Sequence, residues 1–337
     1  MADLNITHRF VDTNGIRMHF ATAGEGPLIV LLHGFPESWH AWRHQFAPLS
    51  EAGYHVVAPD LRGYGQTDQP EPLEAYNIFQ ITGDIVGLLN ALGESSAVIV
   101  GHDWGAWISS YLALFRPDLF RALVLLSVPY SPRKTISQSQ WEQQTYPGKV
   151  FYQASLRSPK AEQFLQADVR RSLLRGLYTL SGEALEEERF QPAREPGPPS
   201  APAKRPTWIS EEDVDFLEGE FRRAGFHGGL NYYRNMDWNW AMTPYLDGAR
   251  IMQPTAFIAG DKDPVIEFLR AEYEALEKNV PNLRKKLLLH GIGHWTQQEA
   301  PAEVNRHILE FLGTLGTARV FPHFLQGACS TRFEGED

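Results

Sequence analysis

Gly101-His102-Asp103-Trp104-Gly105 stands between the apolar run Ala97-Val98-Ile99-Val100 and the apolar, helix-like stretch from Trp107 to Phe115. A short buried strand, a Gly-x-Asp-x-Gly turn and a helix make the layout of a nucleophile elbow. So sharp a turn drives neighbouring side chains into collision, which accounts for small residues two positions before and after its centre, here Gly101 and Gly105. The central side chain is pushed out above the sheet edge, at a helix N-terminus whose unpaired N–H groups and positive dipole end favour an anion. That residue is Asp103. Alone, the same five residues would also serve as a strand-to-helix connection capped by Asp103, so their surroundings decide.

Toward the N-terminus, His8 to Asp12 and Ile16 to Thr22 flank Asn14-Gly15, a two-residue hairpin signal. Leu28 to Leu32 reads as a buried strand ending in His33-Gly34-Phe35-Pro36, followed by a helix-like segment with Trp39, Trp42 and Phe46. Tyr54 to Ala58 is the next strand; the glycine pair Gly63 and Gly65 after it lacks the spaced third glycine of a dinucleotide fingerprint. Ile78 to Leu92 has helical spacing, and Ala122 to Ser127 is another strand. This alternation predicts an α/β fold, a mostly parallel doubly wound sheet covered on both faces.

The alternation stops from about Pro129 to Pro244, which reads as helices and loops with an irregular Pro-rich run from Gln191 to Pro206. Strands resume at Thr255 to Ala259 and Leu287 to Leu289, separated by a helix-like Glu267 to Lys278, and Ala302 to Leu315 closes the pattern as a helix. The expected organisation is a main domain of residues 1–128 and 245–315, an inserted helical lid over 129–244, and a tail over 316–337.

Lys and Arg number 31 against 41 Asp and Glu, a formal charge of −10 with no long run of like charge, so a nucleic-acid partner is not expected. Cys329, the single cysteine of the 337 residues, excludes an intramolecular disulfide and a cysteine metal cluster, and its place in the tail argues against a catalytic thiol. The opening residues lack a basic segment followed by an apolar one, and nowhere do 18 apolar residues run together. A cytoplasmic protein with no membrane partner is the expectation. The 12 histidines show no His-Glu-x-x-His or other ligand spacing, so neither metal nor cofactor is expected. Nine Trp, 12 Tyr and 19 Phe point to an aromatic-lined pocket, and the long lid and tail offer surface for a homodimer.

Functional groups in open α/β sheets gather where strands end at their carboxyl edge. Gly260-Asp261-Lys262-Asp263-Pro264 and Gly291-Ile292-Gly293-His294-Trp295 follow the two resumed strands. Asp103, Asp263 and His294 thus share one edge, in the nucleophile, acid, histidine order of the α/β-hydrolase triad. Asp261 competes with Asp263 as the acid, and a core histidine bonded to a backbone carbonyl competes for His294.

Across nearly all of residues 10 to 315 the chain resembles the α/β-hydrolase-fold epoxide hydrolases. The motifs that carry the resemblance are His33-Gly34-Phe35-Pro36-Glu37-Ser38-Trp39, Asp60-x-Arg62-Gly63-Tyr64-Gly65, the Asp103 elbow and Gly293-His294-Trp295-Thr296-Gln297. Two further ones, Phe151-Tyr152-Gln153 and Asn231-Tyr232-Tyr233-Arg234-Asn235-Met236, look like the lid segments that supply the family's ring-opening tyrosines. The resemblance implies Tyr152 and Tyr233 in that role, with Tyr232 as the adjacent alternative. It also implies Phe35 and Trp104 as backbone oxyanion donors, and it makes Pro36 a residue whose bond is often cis in the family.

The chemistry favours a carboxylate at the elbow for its own reasons. Serine attack on a saturated carbon would leave an ether that an activated water cannot readily cleave, whereas attack by Asp103 leaves an ester that His294 and water can hydrolyse with Asp263 orienting the imidazole. An ordinary Asp, with a pKa near ~3.9, is already ionised at neutral pH. Opening an epoxide also creates an alkoxide, which two phenols can meet with hydrogen bonds. The expected substrate is a small-molecule epoxide and the product a vicinal diol. Haloalkane dehalogenases share the Asp-Trp elbow and stay open as an alternative, although a halide needs no proton. A Ser-dependent esterase is disfavoured by Asp at position 103, and a low-activity binder on the same fold is the remaining alternative.

Overall fold

Asn14 and Gly15 take φ of 45° and 76°, the left-handed pair that a two-residue hairpin needs. In the computed structural model, which describes residues 6–195 and 202–316, they join β1 (Thr7–Thr13) to β2 (Ile16–Ala23) as an antiparallel pair. The strands that follow are β3 (Leu28–Leu32), β4 (His55–Pro59), β5 (Ala97–His102), β6 (Phe120–Leu126), the short β7 (Val150–Phe151) and β8 (Ala193–Arg194), then β9 (Thr255–Gly260) and β10 (Leu283–Leu289). Eight of them form one sheet in the order β1-β2-β4-β3-β5-β6-β9-β10. From β4 to β10 every pairing is parallel.

Parallel strands covered on both faces read as unbroken apolar runs, and successive side chains part to opposite sides. Leu28, Val30, Leu32, Ala97 and Ile99 enter one core with Ile85, Leu88, Ile108 and Leu112 of the helices Ile78–Leu92 and Trp104–Phe115. Ile29, Leu31, Val98 and Val100 enter the other, with Phe46 and Leu49 of Phe46–Glu51 and Val304, Ile308 and Phe311 of Pro301–Gly313. After β3 the chain turns to β4 on one side, and after β5 to β6 on the other. The β3–β5 boundary is therefore the switch point, where two loops part and leave a crevice.

Between β6 and β9 the described chain is mainly helical, with helices that include Gln138–Thr145, Tyr152–Arg157, Val169–Thr179, Glu211–Ala224, His227–Arg234 and Met236–Met242. Two differences from the sequence reading have physical causes. β7 and β8 pair as a small antiparallel ladder, Val150 with Arg194 and Phe151 with Ala193; two-residue strands far apart in the chain carry no local period, so a Pro-rich run expected to be irregular contributes a strand. The helix expected over Glu267 to Lys278 is instead Pro264–Phe268, Arg270–Glu274 and Leu276–Asn279. Its path bends where ψ opens to 24° at Leu269 and 0° at Ala275, while bonds such as Tyr273 N–H to Leu269 O continue across the breaks. Among the described residues no helix is long and apolar enough to cross a membrane. The expectations for the tail beyond residue 316, Cys329 included, and for residues 196–201 of the Pro-rich run lie outside the described residues.

Candidate active site

The centre of the Gly-x-Asp-x-Gly turn sits at φ 52° and ψ −116°, a conformation that L side chains rarely adopt. Such a residue costs on the order of 1–3 kcal/mol and persists only where its surroundings impose it. The surroundings here are very close. A Cβ on Gly105 would stand 1.9 Å from Leu32 O, and one on Gly101 would stand 2.3 Å from Gly105 O. Helix Trp104–Phe115 then closes on the elbow, with the Ala106 and Trp107 N–H groups donating to Asp103 O at 3.1 and 3.2 Å.

The Asp103 carboxylate stands between two partners from different strand ends. The Phe35 N–H, just after β3, donates to Oδ1 at 2.9 Å. Nε2 of His294, after β10, lies 3.5 Å from Oδ2. On the far side of the ring, Nδ1 of His294 lies 3.1 and 3.0 Å from the two oxygens of Asp263, after β9. Asp263 is closed off, whereas the Asp103 side chain keeps 16% exposure toward the crevice. Asp261, the competing acid, turns outward to His290 at 2.7 Å and accepts from the Gly291 N–H at 2.8 Å. Trp104 opens its helix, so its N–H is one of the first-turn donors without an intrahelical acceptor. The Phe35–Pro36 bond is cis.

Burial alone would push the Asp103 carboxyl up, but the hydrogen bond and charge of His294, with His102 and the Phe35 N–H, outweigh it and hold Asp103 below the usual carboxylate range. His294 answers in the opposite sense. Desolvation lowers an imidazole, yet the charges and hydrogen bonds of Asp263 and Asp103 carry it well above its ordinary value. The resting pair is therefore an ionised carboxylate beside an imidazolium.

Above this pair lies a cavity of about 970 Å³, counted with its open mouth, whose lining includes Asp103, Trp104, Tyr152 and Tyr233. β7 delivers Tyr152: Phe151 is its last residue, and the Tyr152 N–H donates to Pro192 O at 2.8 Å as helix Tyr152–Arg157 begins. The Tyr152 hydroxyl accepts from Gln153 Nε2 at 3.0 Å, which leaves its proton available. Tyr233 belongs to helix His227–Arg234, its ring edge-on to Trp104 at 5.0 Å, to Phe35 at 5.6 Å and to Tyr152 at 6.5 Å. Burial first, and then the charge of Asp103, push both phenols up, so they stay protonated. Tyr232, the adjacent alternative, points elsewhere: it is buried, and its hydroxyl donates to Arg62 O at 2.9 Å.

Behind His294 is a buried polar scaffold that the sequence reading did not identify. Its backbone oxygen accepts from His102 Nε2 at 2.8 Å and from Ser127 Oγ at 2.7 Å. His102 Nδ1 meets Glu37 Oε2 at 2.8 Å, and Glu37 also accepts from the Gly34 N–H and the side-chain amides of Gln297 and Gln298. Burial works against ionising Glu37, but His102 and the Gly34 N–H prevail and hold it below its usual range. Glu299 clamps the histidine loop to the insertion, accepting from the N–H groups of Gly293, Trp295 and Gly182 and from Ser181 Oγ. Glu37 and His102 sit inside quoted motifs, so unexplained polar residues beside an elbow were the available signal.

Comparison with known proteins assigns the chain to a family. Residues 27–301 match the family model described as alpha/beta hydrolase fold. Epoxide hydrolase A of Mycobacterium tuberculosis is 42% identical over 315 residues, covering 91% of this chain and 97% of its own. Epoxide hydrolase 3 of Siraitia grosvenorii is 41% identical, over 91% of this chain and 98% of its own. Among solved structures, an epoxide hydrolase from an endophytic Streptomyces superposes with a TM-score of 0.88 at 40% identity, over 92% of this chain and 96% of that one.

Proposed function

Since the chain belongs to the α/β-hydrolase-fold epoxide hydrolases, we propose that it converts an epoxide to a vicinal diol through an ester on Asp103. The observation that carries this reading is the split environment of one carboxylate. Oδ1 is held by a backbone N–H, Oδ2 faces His294, and the cavity in front is lined by two protonated phenols.

In the first step Oδ2 bonds to an oxirane carbon as that carbon's bond to the ring oxygen breaks. Tyr152 and Tyr233 meet the developing alkoxide with hydrogen bonds, and it takes a phenol proton. Ester formation removes the negative charge of Asp103, one of the groups that keep His294 protonated. The histidine then sheds its proton, which restores the phenol, and becomes a base. The cycle thus uses the imidazolium of the resting site to balance the alkoxide and creates the base only when there is an ester to cleave.

In the second step His294 takes a proton from water, and the hydroxide adds to the ester carbonyl. Oδ1 becomes the oxyanion under the N–H groups of Phe35 and Trp104, donors of a kind worth roughly 3 kcal/mol each. Collapse expels the diol as an alkoxide that takes the proton held by His294, and the new Asp103 carboxyl then gives its proton to His294, which restores the resting pair. Residues 129–244 act in this reading as a lid that brings the phenols to a site built on residues 1–128 and 245–315.

A single turnover in heavy-oxygen water tests the covalent step. The first diol should carry an unlabelled oxygen from Asp103, with solvent label entering only in later turnovers. Full solvent label in the first turnover would refute the ester.

A further inference from the structure

Arg133 and Lys134 follow Pro132 on the linker that leaves β6, and both line the cavity, in which Asp103 is the only carboxylate among the described lining residues. In a chain of net charge −10 a cationic cavity wall stands out. Lys134 is already engaged, with Nζ 3.3 Å from Glu272 and 3.8 Å over the Trp141 ring. Arg133 differs. Its Nε donates to Trp240 O at 3.2 Å, Nη1 reaches Lys134 O at 3.4 Å, and its guanidinium lies 4.5 Å from the Trp240 ring centroid. No carboxylate among the described residues pairs with it, and Nη2 has no partner among them.

A half-buried guanidinium whose plane is set by an indole and two backbone carbonyls has already given up part of its rotamer freedom and hydration. Binding a planar anion in front of it costs correspondingly less. Its contacts, Trp240 and Lys134, are distinct from those of the Asp103 carboxylate, which are Phe35 and His294. An anion on the substrate would be repelled by Asp103 and drawn to Arg133, so the pair also sets which end of the substrate reaches the nucleophile. Trp107, Val128 and Met236 supply apolar lining for the body of such a substrate.

We propose that Arg133 is an anion subsite that selects epoxides bearing a carboxylate held away from the oxirane by an apolar or aromatic spacer. The proposal rests on the epoxide-hydrolase reading and adds a substrate class to it.

The test compares an oxirane-substituted arylcarboxylic acid with its methyl ester, each followed by diol formation. The wild-type ratio of kcat/KM, acid over ester, should be about tenfold or more, as expected for a charge-assisted hydrogen bond. It should shrink as salt screens the cation. In R133Q the ratio should fall toward one, and R133K should lie between because a point charge replaces the fork. Comparing ratios between variants cancels intrinsic reactivity, and the wild-type salt dependence needs no variant to fold. Equal rates for acid and ester in the wild type, or a ratio unchanged in R133Q, would overturn the subsite while leaving the epoxide reading intact. Diol from neither compound overturns both.

Discussion

The two walls of the cavity are built on opposite principles. On the sheet side, the groups proposed to react are charged and each is fixed by polar partners: Asp103 by Phe35 and His294, His294 by Asp263, and the His294 carbonyl by His102 and Ser127. On the insertion side, Tyr152 and Tyr233 are neutral and held chiefly by ring contacts with Trp104, Phe35 and each other, with one side-chain amide on the Tyr152 hydroxyl. A misplaced charge in a low-dielectric site is costly, so charges need rigid partners. A neutral phenol can track an oxygen that moves as a ring opens, and apolar packing permits that.

The largest effect expected from this contrast comes from the sheet wall. Asp103→Ala should abolish turnover, a loss on the order of 10⁴-fold or more as for other nucleophiles, with the fold retained by circular dichroism. Residual diol formation of more than a few per cent would mean that the carboxylate is not the bonding group. The insertion wall should degrade more gradually. Tyr152→Phe or Tyr233→Phe should each cost roughly 10²-fold, as expected for removal of one donor to a developing oxyanion, and the double variant should lose nearly all activity. Were the two losses felt in ester hydrolysis and not in ring opening, measured by rapid quench, the phenols would belong to the wrong step.

Acidification should separate the walls in time. In the proposed cycle ring opening requires ionised Asp103, which is held below the usual carboxylate range, so that step survives further into acid than an ordinary carboxylate would allow. Ester hydrolysis in that cycle requires neutral His294; with Asp103 esterified, Asp263 is the remaining carboxylate that favours its protonation, so the rate falls as pH descends through the histidine's value in the ester. Mild acid should therefore enlarge the initial burst of ester and slow its decay. Both phenols are pushed upward, so no alkaline loss from their ionisation should appear in the ordinary working range. A burst that shrinks toward acid pH would reverse the assignment of base and nucleophile.

The sequence is most legible where a constraint is local. The glycines of the elbow reflect backbone contacts within one turn and with the end of β3, and the positions of Asp263 and His294 follow from strands that end where apolar runs end. Tyr152 was reached only through motif resemblance, because the β7–β8 ladder that sets its backbone joins segments with no periodic signal. The Glu37 scaffold was hidden for a stronger version of the same reason: its bonds reach 65 residues along the chain to His102 and 260 to Gln297. No window along the sequence brings those residues together; only the closed sheet does.

Glu299 gives the finest test because it touches both walls. Oε2 accepts from Gly293 on the histidine loop and from Ser181 and Gly182 on the insertion, while Oε1 accepts from the Trp295 N–H. Glu299→Gln must turn an amide N–H toward one of these donors, which loses a buried acceptor worth about 1–3 kcal/mol. The loop keeps other ties to the insertion, His294 N–H to Leu180 O at 2.8 Å and Trp295 Nε1–H to Leu177 O at 2.9 Å, so it should loosen without unfolding. If the charged wall depends on fixed geometry, ester hydrolysis by His294 should slow about tenfold while ring opening by Asp103, which Glu299 does not touch, stays within twofold. Equal slowing of both steps in rapid-quench measurements would show that the clamp serves the fold as a whole and that the contrast between a rigid and an adaptable wall is too simple.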